Sequence, residues 1–270
     1  CLGNCPVIIS EGRLHPVDIQ YRPRTNHEPL ATAMSRAIEV ALQHTAGDVL
    51  AFLPGMAEIR GTAKALRSGV ENAEYDVVTL HGDLPPEFQD AALLKGPRRK
   101  VVLATNVAET SVTVEGITAV VDSGLVRQLV YDPRVGLDRL VLGPISKSSA
   151  EQRTGRAGRL GPGICLRLWD ANHQQVRAAH AEPEVRRIDL AGAVLQLAAL
   201  GELNLEQFPW FEPPRAESLQ NARLLLRRLG AIGGAIGGAI SNDRLTPLGA
   251  EMARLPLAPR LARLLIEGCR

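Results

Sequence analysis

Val49-Leu50-Ala51-Phe52-Leu53 is a continuous apolar run, with Gly47 shortly before it and Pro54-Gly55 directly after it. Five apolar residues without polar alternation describe a strand buried on both faces, the habit of a parallel sheet covered by helices. The preceding residues agree: from Leu30 to Thr45 the apolar positions Met34, Ala37, Ile38, Ala41 and Leu42 recur at helical spacing, and Gly47 suits the stop. Beyond Pro54 the same beat repeats, with a helix near Met56 to Ser68, a strand at Val77 to Leu80, a helix near Pro86 to Leu94 and a strand at Val101 to Thr105. Thr118 to Asp122 and Ile164 to Leu168 add strands. The alternation predicts an α/β fold with a doubly wound parallel sheet of five or six strands. Val126 to Val130 and Leu137 to Leu142 flank the turn residues Tyr131-Asp132-Pro133-Arg134-Val135-Gly136, which predicts a projecting hairpin.

After about Asp170 the pattern changes to helices alone: Leu190 to Leu200 closed by Gly201, and Glu217 to Leu229 closed by Gly230. Thr246 as N-cap and Pro247 at the first helical position start a third helix, running to about Leu255. Two helices, a glycine-rich connection and a third helix suit a small winged-helix module. The repeat Gly-Ala-Ile-Gly over residues 230–240 reads as a lengthened wing or loop without a chemical role. Residues 1–29, with Pro6 to Ile9 and Val17 to Ile19, suggest an entry strand and linker.

The 270 residues carry 31 Lys plus Arg against 29 Asp plus Glu, a net charge of +2, so contact with nucleic acid would rest on local patches. Cys1 and Cys5 have C-x3-C spacing without a matching second half for zinc, and Cys165 and Cys269 stand apart, which favours a reduced compartment and no metal site. No apolar run spans a bilayer and no basic-then-apolar leader is present. A cytoplasmic protein is expected, and the chain reads as a piece of something longer.

Two stretches are chemically unusual. Val101 to Thr105 runs into Thr105-Asn106-Val107-Ala108-Glu109-Thr110-Ser111-Val112-Thr113-Val114-Glu115-Gly116, dense in hydroxyls just past a buried strand. Open α/β sheets bind ligands at that end, and hydroxyls with backbone amides suit phosphate oxygens; the plain alternative is a polar loop capping a helix. Gln152-Arg153-Thr154-Gly155-Arg156-Ala157-Gly158-Arg159 concentrates three guanidiniums and two glycines. On a continuous helix Gln152, Arg156 and Arg159 fall within about 40° of one another. Each glycine costs a helix interior roughly 1 kcal/mol against alanine, which suggests close backbone approach to a ligand. A solvated basic helix is the alternative. Arginines aimed at a transferring phosphoryl group stabilise its charge.

The two stretches closely resemble motifs V and VI of superfamily-two helicases, and Ala104-Thr105-Asn106-Val107-Ala108-Glu109-Thr110-Ser111 is similar to the form in DEAH-box RNA helicases, the bacterial HrpB type among them. Gly47 to Ile59 resembles motif IV, and the resemblance extends through Val120-Val121-Asp122-Ser123-Gly124, Ile145 to Ala150, Arg187-Ile188-Asp189-Leu190, Leu245 to Gly249 and Arg254-Leu255-Pro256-Leu257. It implies a second RecA-like lobe at 30–172 with a hairpin at about 125–142, a winged helix at 173–252 and the start of a helical ratchet domain at 253–270. It implies ATP with Mg2+ as cofactor and RNA as partner. Gln152, Arg156 and Arg159 would face the γ-phosphate, with both arginines as fingers. Thr113, Glu115 and Gly155 would contact the nucleotide, and Thr105, Asn106, Thr110 and Ser111 the RNA backbone. The hairpin would help to separate strands during 3′ to 5′ movement, and Arg153, on another side of the helix, would be structural, pairing with a carboxylate.

The family's phosphate loop and Asp-Glu-Ala-His box are not among these residues. The expected complement is a first lobe of the same polypeptide holding the nucleotide and most of the Mg2+ contacts, without which this chain should be inactive. Gln152, Arg156 and Arg159 should then look exposed and unpaired. The adenine-stacking aromatic of some relatives has no counterpart near Leu93. His81 reads as a loop histidine, Arg98-Arg99-Lys100 as a solvated loop, and Trp169 and Trp210 as packing residues. A non-catalytic nucleic-acid-binding scaffold and a DNA-directed translocase remain alternatives.

Overall fold

Side chains alternate across a strand, so an all-apolar strand must bury both its rows. The computed structural model, which describes residues 3–8, 15–25, 27–69, 74–82, 84–110, 112–233 and 243–269, shows how this is done. In chain order the first unit contains β1 (Val17–Tyr21), α1 (Leu30–His44), β2 (Asp48–Phe52), α2 (Met56–Gly69), β3 (Tyr75–Leu80), α3 (Pro86–Leu93), β4 (Arg99–Ala104), α4 (Val107–Thr110) and β5 (Ile117–Asp122). A hairpin follows, β6 (Leu125–Asp132) and β7 (Leu137–Pro144), and then α5 (Lys147–Gly155), β8 (Gly163–Arg167) and α6 (Ala171–Val176).

The strand order is β1-β8-β5-β2-β4-β3, with every pairing parallel. β2 lies between β4 and β5, with Leu50 opposite Val102 and Val120. Val49, Ala51, Leu103 and Val121 pack with Met34 and Ile38 of α1 and Ile59 and Leu66 of α2. Leu50, Phe52, Val102 and Val120 pack on the opposite face with Ala92, Ala108 and Ala157. Each large apolar side chain fully buried in this way contributes about 1.5–3 kcal/mol. Thus the predicted doubly wound parallel sheet is present, and Val17–Tyr21 is its sixth strand, paired with β8 at the edge. Leu93 packs against the second core.

Arg99 and Lys100 correct the expectation of a solvated loop. They begin β4, and Lys100 is buried. Arg99 donates to the carbonyls of Leu42, Thr45 and Gly47 at the end of α1, and Lys100 Nζ to those of Ala92 and Leu94 at the end of α3. Cations placed on the last carbonyls of a helix satisfy acceptors that the helix itself leaves open.

The second unit is built mainly from Leu129–Leu140 and Glu182–Arg270. It holds α7 (Ala191–Ala199), α8 (Ala216–Arg228), the short antiparallel pair β9 (Ile232–Gly233) and β10 (Arg244–Leu245), α9 (Pro247–Ala253) and α10 (Pro259–Gly268). Leu195, Leu226, Ile232 and Met252 lie in one core with Ala262 and Ile266 of α10. Three helices with a two-stranded ribbon make the expected winged helix. Thr246 caps α9, its Oγ1 accepting from the Gly249 amide at 2.9 Å. Most of the glycine repeat lies outside the described residues. No described helix is long and apolar enough to cross a membrane.

Candidate functional site

The chain leaves β4 at Ala104 and turns at once into the single turn of α4. The Ala108 and Glu109 amides donate to the carbonyls of Thr105 and Asn106, which places Asn106 and Thr110 on the surface and Thr105 half-buried. Ser111 lies outside the described residues. Glu109, Val112 and Thr113 lie against the arginine stretch.

Three arginines hold that segment at successive points. Arg153 is 1 % exposed; its Nε donates to Glu109 Oε2 at 2.9 Å and its Nη1 to Asp122 Oδ1 at 2.9 Å, while its guanidinium lies 4.8 Å from the Phe52 ring centre. Burial alone pulls its pKa down, but the carboxylates of Asp122 and Glu109 more than offset this and leave it raised. Arg156 donates to the Val112 carbonyl at 2.5 Å and, through Nε and Nη2, to the Glu109 carbonyl. Its pKa is lowered by burial and by the like charge of Arg159. Arg159 is exposed, and its Nη1 donates to Thr113 Oγ1 at 2.7 Å.

This arrangement corrects several expectations. The α-helix ends at Gly155, and Arg156–Gly158 is a 3-10 turn, so Gln152, Arg156 and Arg159 do not share one continuous helical face. Arg156 follows α5 directly, and its side chain turns onto the Glu109 and Val112 carbonyls. Gln152 and Arg159 are exposed as expected, but Arg159 is paired with Thr113, and Arg156 is 6 % exposed and fully engaged with carbonyls. Gly158 approaches backbone closely, but the backbone is its own: a Cβ there would meet the His15 carbonyl oxygen at 2.6 Å. The stretch also runs along the sheet face, from Asp122 at the carboxyl end of β5 to His15 just before β1, so only its beginning lies at the carboxyl ends.

Thr113 and Arg159 therefore meet, whereas Glu115 is turned elsewhere, its Oε2 accepting from the Lys95 amide at 3.3 Å. Arg153 is the structural, carboxylate-paired residue expected. Trp169 is buried, and Trp210 Nε1 donates to the Leu205 carbonyl, so both pack as expected. Among the described residues no group of three or more His, Cys, Asp or Glu side chains is placed to hold a metal ion. Two features were missed. Asp122, wholly buried at the end of an apolar strand, anchors Arg153; a carboxylate inside such a run was the available signal. Arg127, which pairs with Glu58 through two hydrogen bonds of 2.6 and 2.9 Å, ties the start of β6 to α2 and carried no signal.

The exposed Arg159 guanidinium, beside the Thr113 hydroxyl, keeps donors with which it can bind phosphate oxygens. Arg156 could join them only by releasing Glu109 and Val112.

Residues 32–161 match the helicase conserved C-terminal domain, and residues 222–257 the winged-helix helicase-associated domain. The chain is 40 % identical over 268 residues to the ATP-dependent RNA helicase HrpB of Escherichia coli, covering 98 % of this chain and 32 % of that protein. It is 39 % identical to the E. coli ATP-dependent RNA helicase HrpA, covering 98 % of this chain and 20 % of that protein. A crystal structure of the E. coli DEAH/RHA helicase HrpB superposes with a TM-score of 0.89 at 40 % identity, over 98 % of this chain and 33 % of the other. The chain thus spans between a fifth and a third of the length of these curated relatives.

Proposed function

Residues 32–161 belong to the helicase conserved C-terminal domain family and residues 222–257 to the helicase-associated winged-helix family, and on that footing we propose that the chain is the second RecA-like lobe and winged helix of a DEAH-box ATP-dependent RNA helicase. In this proposal the lobe occupies 30–172, the winged helix 173–252, and a helical ratchet domain begins at 253–270. A first lobe holds ATP with its Mg2+, and hydrolysis of the γ-phosphoryl bond drives 3′ to 5′ movement on RNA.

The observation that carries the proposal is the triple hold of one arginine stretch on Glu109–Thr113. Gln152 and Arg159 are exposed, and a phosphate would take up the remaining donors of Arg159 beside Thr113 Oγ1, with Gly155 at the end of α5. Arg156 reaches the same phosphate after exchanging carbonyl acceptors for it. Glu115 serves the nucleotide through its position in the loop. Thr105, Asn106, Thr110 and Ser111 contact the RNA backbone. Guanidiniums suit the nucleotide role because they stay charged and present a planar donor fork to charge developing on phosphoryl oxygens.

The test is RNA-stimulated ATP hydrolysis by this chain joined to a first lobe. Arg159→Ala is the cleaner variant, because Arg159 is exposed and its loss leaves no buried group unpaired. Loss of a finger should lower turnover on the order of 10³-fold or more. Unchanged turnover in that variant would remove the finger assignment, and absence of RNA-stimulated turnover in the wild type would remove the function. The chain without a first lobe should show no turnover.

A further inference from the structure

The root of the hairpin and the start of α5 lie close together, and a single segment fastens both. The Ile145 amide closes the root by donating to the Gly124 carbonyl at 3.0 Å. Arg177, just past α6, spans the same root: its Nη1 donates to the Gly124 carbonyl at 3.1 Å and to the Ile145 carbonyl at 2.9 Å. The guanidinium lies over the Trp169 ring, 4.3 Å from its centre, and Trp169 is buried and fixed by its own Nε1 bond to Gln174 Oε1 at 3.0 Å. Gly124 has φ +72°, and a Cβ there would lie 2.5 Å from the Trp169 ring and 2.6 Å from Arg177 Nη2. Glycine is thus required for both conformation and room.

The two residues that follow Arg177 hold a different element. The carbonyls of Ala178 and Ala179 accept from the amides of Lys147 and Ser148, at 2.8 and 3.0 Å, in the first turn of α5. Those amides are donors that a helix N-terminus leaves without internal partners. At its other end α5 carries Arg153 and leads into Arg156. One strap, Arg177-Ala178-Ala179, therefore binds the hairpin root through a side chain and the arginine helix through its backbone. A solvated connector would need neither a stacked guanidinium nor two capping carbonyls.

We propose that Arg177 is a positioning residue that couples the hairpin to the arginine helix, so that movement at α5 reaches the hairpin as displacement rather than being lost at a loose root. The inference rests on the helicase function proposed above. Arg177 touches neither nucleotide nor RNA in this scheme, so its removal should separate chemistry from work.

The experiment uses the chain with its first lobe, an RNA duplex carrying a single-stranded RNA tail, and parallel measurements of ATP turnover and unwinding. Arg177→Ala should keep RNA-stimulated turnover within about twofold of wild type, since no transition-state contact is lost. Losing two half-buried hydrogen bonds at the root should lower unwinding per ATP hydrolysed by about tenfold. Arg177→Lys, which keeps the charge over Trp169 and can reach one carbonyl, should fall between them, and it decides by the same ratio if the alanine variant does not fold. An unchanged ratio in the lysine and alanine variants, or turnover and unwinding falling by one common factor, would overturn the coupling role. A wild-type protein without RNA-stimulated turnover would instead overturn the function on which the inference stands.

Discussion

A guanidinium 1 % exposed, set between Glu109 and Asp122 with the Phe52 ring beside it, is tolerable only because both acids are present. Asp122 is the more demanding partner. It is wholly buried, its Oδ1 also accepts from the Gly124 amide at 2.8 Å, and its Oδ2 has no hydrogen-bond partner among the described residues. Arg153→Ala would leave that carboxylate buried without its cation, and it should cost about 3–5 kcal/mol of stability, read as a lower denaturant midpoint at constant slope. Glu109→Gln should cost much less, because Glu109 is 15 % exposed and the amide oxygen can still accept from Arg153 Nε. Equal losses would mean that Glu109, not Asp122, is the anchor. The structural role of Arg153 was legible because on a helix it falls about 100° from Gln152 and about 120° from Arg159. The burial of Arg156 was not, because it rests on the carbonyls of Glu109 and Val112, 47 and 44 residues away in sequence, which helical spacing does not reveal.

At the level of elements, apolar runs were the legible part. β2, β4 and β5 are buried on nearly every residue, as short apolar runs bounded by turn residues lead one to expect of covered parallel strands. The start of β4 was harder, since two cations look like a loop until the carbonyls that receive them are in view. The turn of the hairpin illustrates a local device that only the structure reveals. Asp132 accepts from Arg134 Nη2 at 3.1 Å and Arg139 Nη1 at 2.8 Å, and the Val135 and Gly136 amides donate to its carbonyl. Hydrogen bonds from the Arg134 side chain and then its amide, with the charges of Arg134 and Arg139, hold the Asp132 pKa down from 3.8 to about 2. A depressed folded-state pKa means that the turn is stabilised by ionised Asp132 above pH 3.8 and loses this as pH falls toward 2. In an NMR titration the Gly136 amide should shift with a midpoint near pH 2, the value to which Asp132 is lowered. Asp132→Asn should abolish the transition, whereas a midpoint near 3.8 would show that the arginines do not hold the carboxylate in solution.

At the scale of the whole chain, the change from alternating strands and helices to mainly helices was visible near Asp170, because continuous apolar runs cease to alternate with stretches of helical spacing. The membership of Leu129–Leu140 in the unit of Glu182–Arg270 was not visible. It depends on contacts between distant residues: the Tyr131 amide donates to the Arg187 carbonyl at 2.7 Å, Arg187 Nη1 to the Leu129 carbonyl at 2.5 Å, and the Asp189 amide to Asp138 Oδ1 at 2.8 Å. The two units have separate cores, one on each face of the sheet around Leu50 and Leu103 and the other around Leu195, Leu226 and Met252. Chains with independent cores depart from all-or-none unfolding, so calorimetry should resolve two transitions. Leu103→Ala and Leu226→Ala each remove a fully buried side chain and should each cost about 2–5 kcal/mol. Because Leu103 belongs to the sheet unit and Leu226 to the helical unit, the two substitutions should lower different transitions. If either substitution lowered both transitions by the same amount, the cores would unfold as one, and the units would be regions of a single cooperative structure.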